Sequence, residues 1–521
     1  MPPISNNLRL YLATLISYQT ASLFGYSVGF IGGLLILPSF LSYFHLSTLS
    51  PAALAAAQAR IVTLWLVGAL MGVPLGMPVC ARWGRKWCLR ISAGLYLLGT
   101  CLQLLGKGGI GIFELGRWGN GLGVGCGTLV GPIFISEISP PSKRGMLMSG
   151  YQTILQLSAL AGFWGAYLAN SFFSDTSALQ WQMPTSIQLI PGTLLLFGTL
   201  FIPETPRFLA ENGRWEECEK ALVWLRGFNT GEEWRSEEEL EELRDAARAS
   251  EALKGRKVNF LTEISRKGVR ERLGVGIGLM IAQNMVGLNA LNYYAPTIFI
   301  SAGFRSVSSS LFLTGLFGVV KLLSAIAFMF VFVKIKGNRF WLLFGSTICG
   351  ASMFILAYFV KAISPHDQIG DEKLSLSGFI SVLTVYVFAF SFSVSLGPIS
   401  WNVCSEIFPL HINAKCCAIT TCTQWLFQIA IAYITPRLLA AVGWLTYIIF
   451  ATCCVVTTIW VYFFVPETRN VALGKDMDFV FGLKEAEWGD DGESATVVEE
   501  TTALLGRERV ALRRASLGSY T

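Results

Sequence analysis

Charged residues are scarce in this sequence, since they make up only 14% of its 521 residues, whereas soluble domains carry about a quarter. Histidine occurs only 3 times, and the 12 cysteines include no Cys-x-x-Cys pair. These shortages speak against a soluble globule, a metal site and a disulfide framework. The net charge of +6 does not indicate a nucleic-acid partner. No nucleophile–base set or phosphate-binding loop is evident, so we expect neither an enzyme nor a cofactor.

Long apolar runs, by contrast, fill most of the chain. A membrane crossing needs about 20 apolar residues, and twelve stretches between charged residues are candidate spans. Span 1 starts at Leu10 within the charge-free run to Ala59, and the others are Ile61–Ala81, Ile91–Gly106, Trp118–Ser136, Gly145–Ser174, Thr176–Pro203, Leu273–Phe304, Ser306–Val333, Phe340–Val360, Leu374–Ser405, Cys416–Pro436 and Leu438–Pro466. Backbone polar groups cannot stay unpaired in lipid, and such runs are too long for barrel strands. The sequence therefore predicts an all-α membrane protein with twelve transmembrane helices.

Basic residues mark the loops that follow spans 2, 4 and 8, which assigns these loops to the cytosol by the positive-inside rule. The segment between spans 6 and 7 contains 30 of the 74 charged residues, so we interpret it as a cytosolic linker between two six-helix halves. The predicted units are an N-terminal half over 1–203, the linker over 204–271, a C-terminal half over 272–481 and a disordered cytosolic tail over 482–521.

Three short motifs recur about half a chain apart, which supports two halves related by duplication. The pairs are Ser136-Glu137-Ile138 with Ser405-Glu406-Ile407, Pro203-Glu204-Thr205 with Pro466-Glu467-Thr468, and the loop Arg82-Trp83-Gly84-Arg85-Lys86 with an altered copy, Lys336-Gly337-Asn338-Arg339.

A larger set of motifs resembles the sugar porter family of the major facilitator superfamily, and the likeness extends from Leu23 to Asp478. The matching segments are Phe24-Gly25-Tyr26, Gly116-Arg117 with Gly121, Gly123, Gly125 and Pro132, Ser136 to Pro140 with Arg144-Gly145, Pro203 to Arg207, Gln283 with Gly287, Asn289, Tyr293 and Tyr294, Gly397-Pro398 with Trp401, Ser405 to Pro409, and Pro466 to Thr468. The resemblance implies a usually monomeric carrier in the lipid bilayer that moves a small sugar or polyol by alternating access.

The resemblance also implies an ionic latch at the cytosolic ends of the helices, here called the inner latch. Its predicted members are Arg82, Arg85, Glu137, Arg144, Glu204, Arg207, Glu406 and Glu467. The second half departs from the family pattern, because Lys334 replaces an aspartate, Asn338 an arginine, and His411 and Asn413 two further arginines; in the first half Ala81 replaces an aspartate. We expect a weaker latch in the second half. The alternative is that these charges only mark topology.

Amide and aromatic residues within the spans are candidates for substrate contacts, since polar groups in lipid-spanning helices are costly. The positions implied by the family are Gln156, Gln283, Asn284, Asn289, Tyr293, Trp401, Gln424 and Trp425. Amides both donate to and accept from hydroxyls, and an indole presents a flat face to a sugar ring. The alternative for these polar residues is hydrogen bonding between helices.

Two positions bear on proton coupling. Proton-coupled members have an aspartate after Phe-Gly-Tyr that pairs with the span 4 arginine, whereas this chain has Ser27 facing Arg117. A serine cannot take up the proton, so we expect weak or no coupling. Glu114, three residues before Arg117, is an alternative source of the carboxylate; otherwise it is an interfacial charge near the outer mouth.

Lys321 is the only charge in span 8, and a buried ammonium is costly unless it is paired. It either binds a substrate carboxylate, as in a quinate or uronate carrier, or is structural. The segment Gly318-Val319-Val320-Lys321 resembles fungal quinate-type members. We take a hexose-type carrier as the leading expectation and a carrier of an acidic polyol, with or without proton coupling, as the alternative. A nutrient sensor that does not transport is a third hypothesis.

The tail bears on location. Glu500-Thr501-Thr502-Ala503-Leu504-Leu505 resembles an acidic dileucine sorting signal, and Arg513-Arg514-Ala515-Ser516 resembles a kinase site. We expect the plasma membrane, with a vacuolar or endosomal membrane as the alternative if the sorting signal is used.

Overall fold

The computed structural model describes residues 8–106, 109–226, 240–241, 244, 264–265, 267–301, 306–332, 335–362, 376–408 and 412–468. Helices account for nearly all of these residues, and no strand occurs in these ranges. The tail, most of the linker's acidic run, Lys334 and His411 lie outside them.

Each predicted span corresponds to one helix or to two consecutive helices. Spans 1 to 6 are Leu8–Leu34, Pro51–Arg82, Arg85–Leu105, Ile110–Ile138, Pro141–Phe172, and Leu179–Ser186 with Leu189–Phe201. Spans 7 to 12 are Lys267–Met285 with Leu288–Ser301, Val307–Ala327 extended by a π-helical turn Phe328–Phe332, Asn338–Ala362, Leu376–Ser393 with Leu396–Glu406, Asn413–Val442, and Leu445–Phe464. Short helices Pro38–Tyr43, Leu46–Thr48, Pro206–Glu211 and Trp215–Arg226 lie between them.

Ten helices in the described ranges are both long and apolar enough to cross a membrane. The other two predicted spans, 1 and 5, are 27 and 32 residues long but less apolar. They pack along each other, and span 1 also contacts spans 4 and 7. Most of span 1 is buried among other helices, so its side chains meet protein rather than lipid. Polar residues cost less in such a position, which explains the weaker hydrophobic signal.

Spans 2 and 4 approach each other closely at glycines. A Cβ atom added at Gly125 would lie 2.9 Å from the Cα of Gly72, so a larger residue would push the helices apart. Cys126 lies at the same contact, where its Sγ donates to the Gly72 carbonyl oxygen at 3.1 Å. This small-residue contact sets the register in which span 4 presents its polar residues to span 2.

Spans 7 and 10 are each broken near the middle. The break in span 7 lies at Gly287, whose φ of +94° is readily adopted only by glycine, and the break in span 10 lies at 394–395. Gln283 joins the two breaks, since its Nε2 donates to the carbonyl oxygens of Leu396 (3.3 Å) and Gly397 (3.1 Å). The breaks thus bring polar groups of both spans to one depth, as broken helices do in other transporters.

The two six-helix halves meet mainly where span 1 packs against span 7, span 2 against span 11, and span 5 against span 8. Three aromatic rings form a cluster across this interface. Phe24 lies 5.1 Å from Trp425 and 6.2 Å from Trp65 between ring centroids, and the two indoles are 5.9 Å apart. The cluster therefore ties spans 1 and 2 of the first half to span 11 of the second.

Candidate functional site

A cavity lies between the halves and is lined by residues from six spans. These residues are Phe24, Val28, Gln152, Leu155, Gln156, Ala159, Gln283, Leu288, Asn289, Asn292, Lys321, Phe392, Trp401, Gln424 and Gln428. The space in it that a water-sized sphere can occupy is ≈ 50 Å³. The described lining contains seven carboxamides, one ammonium and no carboxylate, so the cavity is polar with a positive charge.

Six of the nine predicted substrate-contacting residues line this cavity, namely Gln156, Gln283, Asn289, Lys321, Trp401 and Gln424. Asn284, Tyr293 and Trp425 stand behind the lining. Asn284 Nδ2 donates to Gln424 Oε1, and Asn289 Nδ2 donates to Asn284 Oδ1, both at 2.6 Å. The Tyr293 hydroxyl accepts from Gln428 Nε2 at 2.6 Å. These second-layer groups fix the side chains that face the cavity.

Three lining amides were not among the predicted residues, namely Gln152, Asn292 and Gln428. Helical spacing carried a usable signal for two of them. Gln152 lies four residues before Gln156, and Gln428 lies four residues after Gln424, so each shares a helix face with a predicted residue. Asn292 follows the break in span 7, where a continuous helical period does not predict which face is exposed.

Several cavity amides have oxygen atoms without a hydrogen-bond donor. In the part of the chain that the structure describes, Gln156 Oε1, Gln283 Oε1 and Gln428 Oε1 are buried and unpaired. A buried acceptor left unpaired costs about 1–3 kcal/mol. Hydroxyl groups are donors that can satisfy such oxygens. The cavity is therefore complementary to a molecule with several hydroxyls.

Lys321 supplies the positive charge of the cavity. Its side chain is 3% exposed, its Nζ donates to Asn292 Oδ1 at 2.9 Å, and Nζ lies 5.4 Å from the centroid of the Phe317 ring. No carboxylate of the described residues lies within 4 Å of this ammonium. An ammonium has three donors, so the amide leaves donors for a bound group. A buried charge without a counterion is costly, and a carboxylate is the group that would compensate it.

The residues predicted to control proton coupling form two separate groups. The Ser27 hydroxyl and the Tyr96 hydroxyl share a hydrogen bond of 3.1 Å, and Ser27 Oγ donates to Asn120 Oδ1 at 3.4 Å. Glu114 accepts from Arg60 Nε at 2.6 Å. The structure therefore places the Glu114 carboxylate against Arg60 of span 2 rather than against Arg117.

Arg117 itself is fully buried. Its guanidinium carbon lies 5.2 Å from the Trp65 ring centroid and 5.6 Å from that of Phe30. All three of its side-chain nitrogens lack a hydrogen-bond acceptor among the described residues. Cation–π contacts offset part of the cost of this burial, but they leave the N–H donors unused.

The inner latch is well formed in the first half. The Arg85 guanidinium donates to Glu137 Oε1 at 2.8 and 3.2 Å, and these side chains are only 11% and 7% exposed. The Thr205 hydroxyl donates to Glu137 Oε2 at 2.6 Å. Glu204 accepts backbone N–H groups of Arg85 and Lys86 at 3.1 to 3.2 Å, which caps the start of span 3. Residues of spans 3 and 4 and the linker are thus locked together.

Burial raises the pKa of the Glu204 carboxyl, while the N–H groups that it accepts and the nearby Arg85 act in the opposite direction. Predicted latch residue Arg207 lies in the same region, and its Nε donates to Glu211 at 3.2 Å. Glu211 also lies 3.5 Å from Arg85, so it joins this cluster although no sequence motif indicated it. Arg82 is exposed at the surface of the same turn.

The second half repeats the backbone cap. Glu467 accepts the backbone N–H groups of Asn338 (2.8 Å) and Arg339 (3.1 Å) at the start of span 9. The Asn338 side chain donates to the Thr468 hydroxyl at 3.0 Å. An amide–hydroxyl bond thus stands at Asn338, where the first half has the Arg85 guanidinium on a carboxylate. The side chains of Arg144, Glu406 and Asn413 lie outside the described part of the chain.

Comparison with known proteins adds sequence evidence. The family model described as "Sugar (and other) transporter" matches residues 13–477. Curated relatives named "Probable quinate permease" from Neosartorya fischeri and Aspergillus niger are each 34% identical to the chain. The first match covers 91% of this chain and 88% of the relative, and the second covers 96% and 93%.

Solved structures agree with the fold. The proton:xylose symporter XylE bound to 6-bromo-6-deoxy-D-glucose is similar with a TM-score of 0.75 and 24% identity, over 91% of this chain and all of that one. The inward-open xylose transporter XylE from E. coli gives a TM-score of 0.71, also at 24% identity, with the same coverage. The predicted major facilitator fold is therefore confirmed.

Proposed function

The chain belongs to the sugar transporter family of the major facilitator superfamily and is a multi-pass membrane carrier of sugars or sugar-like polyols, and from that premise we propose that its substrate is an acidic polyol of the quinate class. This proposal favours the acidic polyol, which the sequence analysis gave as the alternative, over the hexose that it gave as the leading expectation. The residues that we propose to contact the substrate are the amides, Trp401 and Lys321 of the central cavity.

The observation that carries the proposal is the position of Lys321. Its ammonium lies in the cavity, bonds one neutral amide and has no carboxylate within ion-pair distance among the described residues. A neutral hexose would leave this buried charge without a counterion, whereas a substrate carboxylate would supply one. Charge-assisted hydrogen bonds are also roughly twice as strong as neutral ones.

The rest of the cavity supports a polyhydroxylated acid. The unpaired oxygens of Gln156, Gln283 and Gln428 are acceptors for hydroxyl protons, and Trp401 presents an indole to the ring of the substrate. Relatives over nine tenths of the chain carry the name of quinate permeases, which agrees with a substrate that has both hydroxyls and a carboxylate.

The proposal is tested by uptake of labelled quinate and labelled glucose into proteoliposomes that contain the purified chain. We expect saturable quinate uptake that Lys321→Gln lowers at least about tenfold, because hydrogen bonds to charged groups contribute about 1.5–3 kcal/mol. The matched control is Lys361→Gln, whose ammonium lies over the Trp444 ring at the end of span 9 and outside the cavity. Glucose uptake without quinate uptake, or equal loss of both in Lys321→Gln, would contradict the proposal.

We also propose that transport is not coupled to protons. Ser27 has no carboxylate that could take up the coupling proton, and the Glu114 carboxylate is ion-paired with Arg60. An acid moved as the anion carries negative charge, so the membrane potential acts on it by about 2.3 kcal/mol per 100 mV, which is about 50-fold in accumulation. With the potential clamped by potassium and valinomycin, quinate should accumulate on the positive side. Uptake that ignores the potential and follows an inward proton gradient would contradict this.

For location and assembly we propose a monomer in the plasma membrane, with two halves over 1–203 and 272–481 that rock about the cavity. Net flux in proteoliposomes distinguishes this carrier from a nutrient sensor that binds without transport. A fluorescent fusion with and without Leu504→Ala and Leu505→Ala tests whether the dileucine motif diverts the protein to a vacuolar or endosomal membrane.

A further inference from the structure

The most unusual polar group outside the cavity lining is the Arg117 guanidinium. It is fully buried, and its Nε, Nη1 and Nη2 all lack acceptors among the described residues. Arginine stays protonated in proteins and offers five N–H donors in a planar fork that matches a carboxylate. A wholly buried charge with all its donors unused is costly. This cost would be relieved by an anion bound at some stage of the transport cycle.

The immediate surroundings of Arg117 contain no such anion. Two aromatic rings, Phe30 and Trp65, flank the guanidinium. The hydroxyl of Tyr96 shares a hydrogen bond with the neutral Ser27. No described carboxylate lies within 4 Å of the guanidinium. The guanidinium is therefore a buried positive charge whose described neighbours are neutral.

Arg117 is linked to the cavity lining through packed residues of spans 1 and 7. The Phe30 ring of span 1 flanks the guanidinium, and a Cβ atom added at Gly32, two residues further along the same helix, would lie 2.8 Å from the Tyr293 carbonyl oxygen. The Tyr293 hydroxyl accepts a 2.6 Å hydrogen bond from Gln428, which lines the cavity.

The two cations lie at different distances from the outer ends of their helices. Spans 4 and 8 both start on the membrane face opposite the inner latch. At a rise of 1.5 Å per residue, Arg117 lies about 10 Å from the start of span 4 at Ile110, and Lys321 lies about 21 Å from the start of span 8 at Val307. Along its own helix, Arg117 is therefore nearer the outer end than Lys321 is.

We infer that Arg117 is a second binding residue for the substrate carboxylate, an outer docking point from which the anion passes to Lys321. This inference rests on the proposed acidic substrate. When the halves separate on the outer side, the guanidinium binds the carboxylate in the two-pronged geometry that arginine favours. Fixed positive charges along a low-dielectric path lower the barrier to an anion and give no such help to a neutral sugar.

The test compares variants of Arg117 in proteoliposomes that already show saturable quinate uptake. Arg117→Gln should raise the KM for quinate at least about tenfold, since hydrogen bonds to charged groups contribute about 1.5–3 kcal/mol, while Arg117→Lys should retain part of the affinity because it keeps the charge. The matched control is Arg437→Gln, an exposed arginine over the Tyr433 ring at the outer end of span 11. A loss of maximal rate at unchanged KM would assign Arg117 to gating and overturn the inference.

A second variant keeps Arg117 and adds a carboxylate near it on span 1. Ser27→Asp places a carboxylate beside Tyr96, where it can compete with the substrate for Arg117, and Ser27→Asn is the comparison of similar shape without charge. We expect a higher quinate KM in Ser27→Asp than in Ser27→Asn. Equal KM values in the two variants would contradict the inference.

A binding measurement that does not depend on transport tests the Arg117 site independently. Quinate should raise the melting temperature of the purified wild type in detergent, because a ligand of the native state stabilises it, and the shift should shrink in Arg117→Gln. A wild-type KM that depends on chloride, with the dependence lost in Arg117→Gln, would assign the site to an inorganic anion instead. If the wild type takes up no quinate at all, the proposed function fails first, which separates that failure from failure of the Arg117 site.

Discussion

The two halves have the same backbone cap at the helix ends that the sequence predicts to be cytosolic, but they differ in their side-chain links. Glu204 and Glu467 each accept two backbone N–H groups at the start of a span. Beyond this cap, the first half adds the Arg85–Glu137 ion pair, whereas the second half has the amide of Asn338 bonded to Thr468. The link that needs only a carboxylate and a helix start is thus common to both halves, whereas Asn338 replaces the arginine of the charged link.

This difference predicts side-chain links of unequal strength in the two halves. A guanidinium–carboxylate pair that is about nine-tenths buried depends on both partners, because removal of one leaves a buried charge. A neutral amide–hydroxyl bond contributes about 1 kcal/mol. We therefore expect the first half to be the firmer side of the latch, in agreement with the weaker second half that the sequence predicts.

The largest expected effect comes from making the first half resemble the second. Arg85→Asn should lower the free energy of unfolding by about 3–5 kcal/mol, because Glu137 loses its buried counterion. Asn338→Ala, the corresponding change in the second half, should cost about 1 kcal/mol. Thermal and denaturant unfolding of the purified variants in detergent measures both. Equal losses in the two variants would show that the halves are equally firm.

A double-mutant cycle sharpens that result. If Arg85 and Glu137 act as a pair, Arg85→Asn combined with Glu137→Gln should be less destabilised than the sum of the single changes. Additive losses would mean that each residue acts through other neighbours, such as Glu211 or Thr205.

The two repeated threonines provide a smaller comparison. The Thr205 hydroxyl donates to the Glu137 carboxylate at 2.6 Å, whereas the Thr468 hydroxyl accepts from the neutral amide of Asn338 at 3.0 Å. Thr205→Val should therefore cost about 1.5–3 kcal/mol and Thr468→Val about 1 kcal/mol. Both variants keep the shape of the side chain, so a reversed order in the unfolding measurements would contradict the assigned donors.

The smallest expected effect is a pH dependence at Glu204. Burial raises the pKa of this carboxyl in the folded chain, so the folded state holds the proton more tightly than the unfolded state. Its contribution to stability is present below the usual glutamate pKa of about 4.3 and is lost as the pH rises through the raised value. Relative to Glu204→Gln, the wild type should therefore lose stability from pH 4 upward.

The control for this pH effect is Glu467→Gln, which leaves Glu204 in place and should keep the wild-type slope of melting temperature against pH. If the slope disappears in Glu467→Gln but persists in Glu204→Gln, the titrating group is Glu467 of the second half, and the prediction for Glu204 is wrong.

Much of the candidate site could be predicted from sequence because polar residues stand out in apolar helices. Gln156, Asn289 and Lys321, which the sequence analysis names as substrate contacts, line the cavity, and their contact with a substrate stays a prediction. Gln428 was missed although its four-residue spacing from Gln424 indicated a shared helix face. Asn292 could not be found in this way, since the break at Gly287 resets the helical period.

The sequence by itself determined the twelve helices, the two halves and the family, because crossing length, loop charge and repeated motifs are local properties of the chain. Only the tertiary structure decided which charges meet. Glu114 lies one turn from Arg117 in sequence, yet it pairs with Arg60, while Arg117 is held between Phe30 and Trp65. The partner of a side chain depends on how helices from distant parts of the chain pack. Close contacts between spans 2 and 4 fix that packing here, and local periodicity does not encode it.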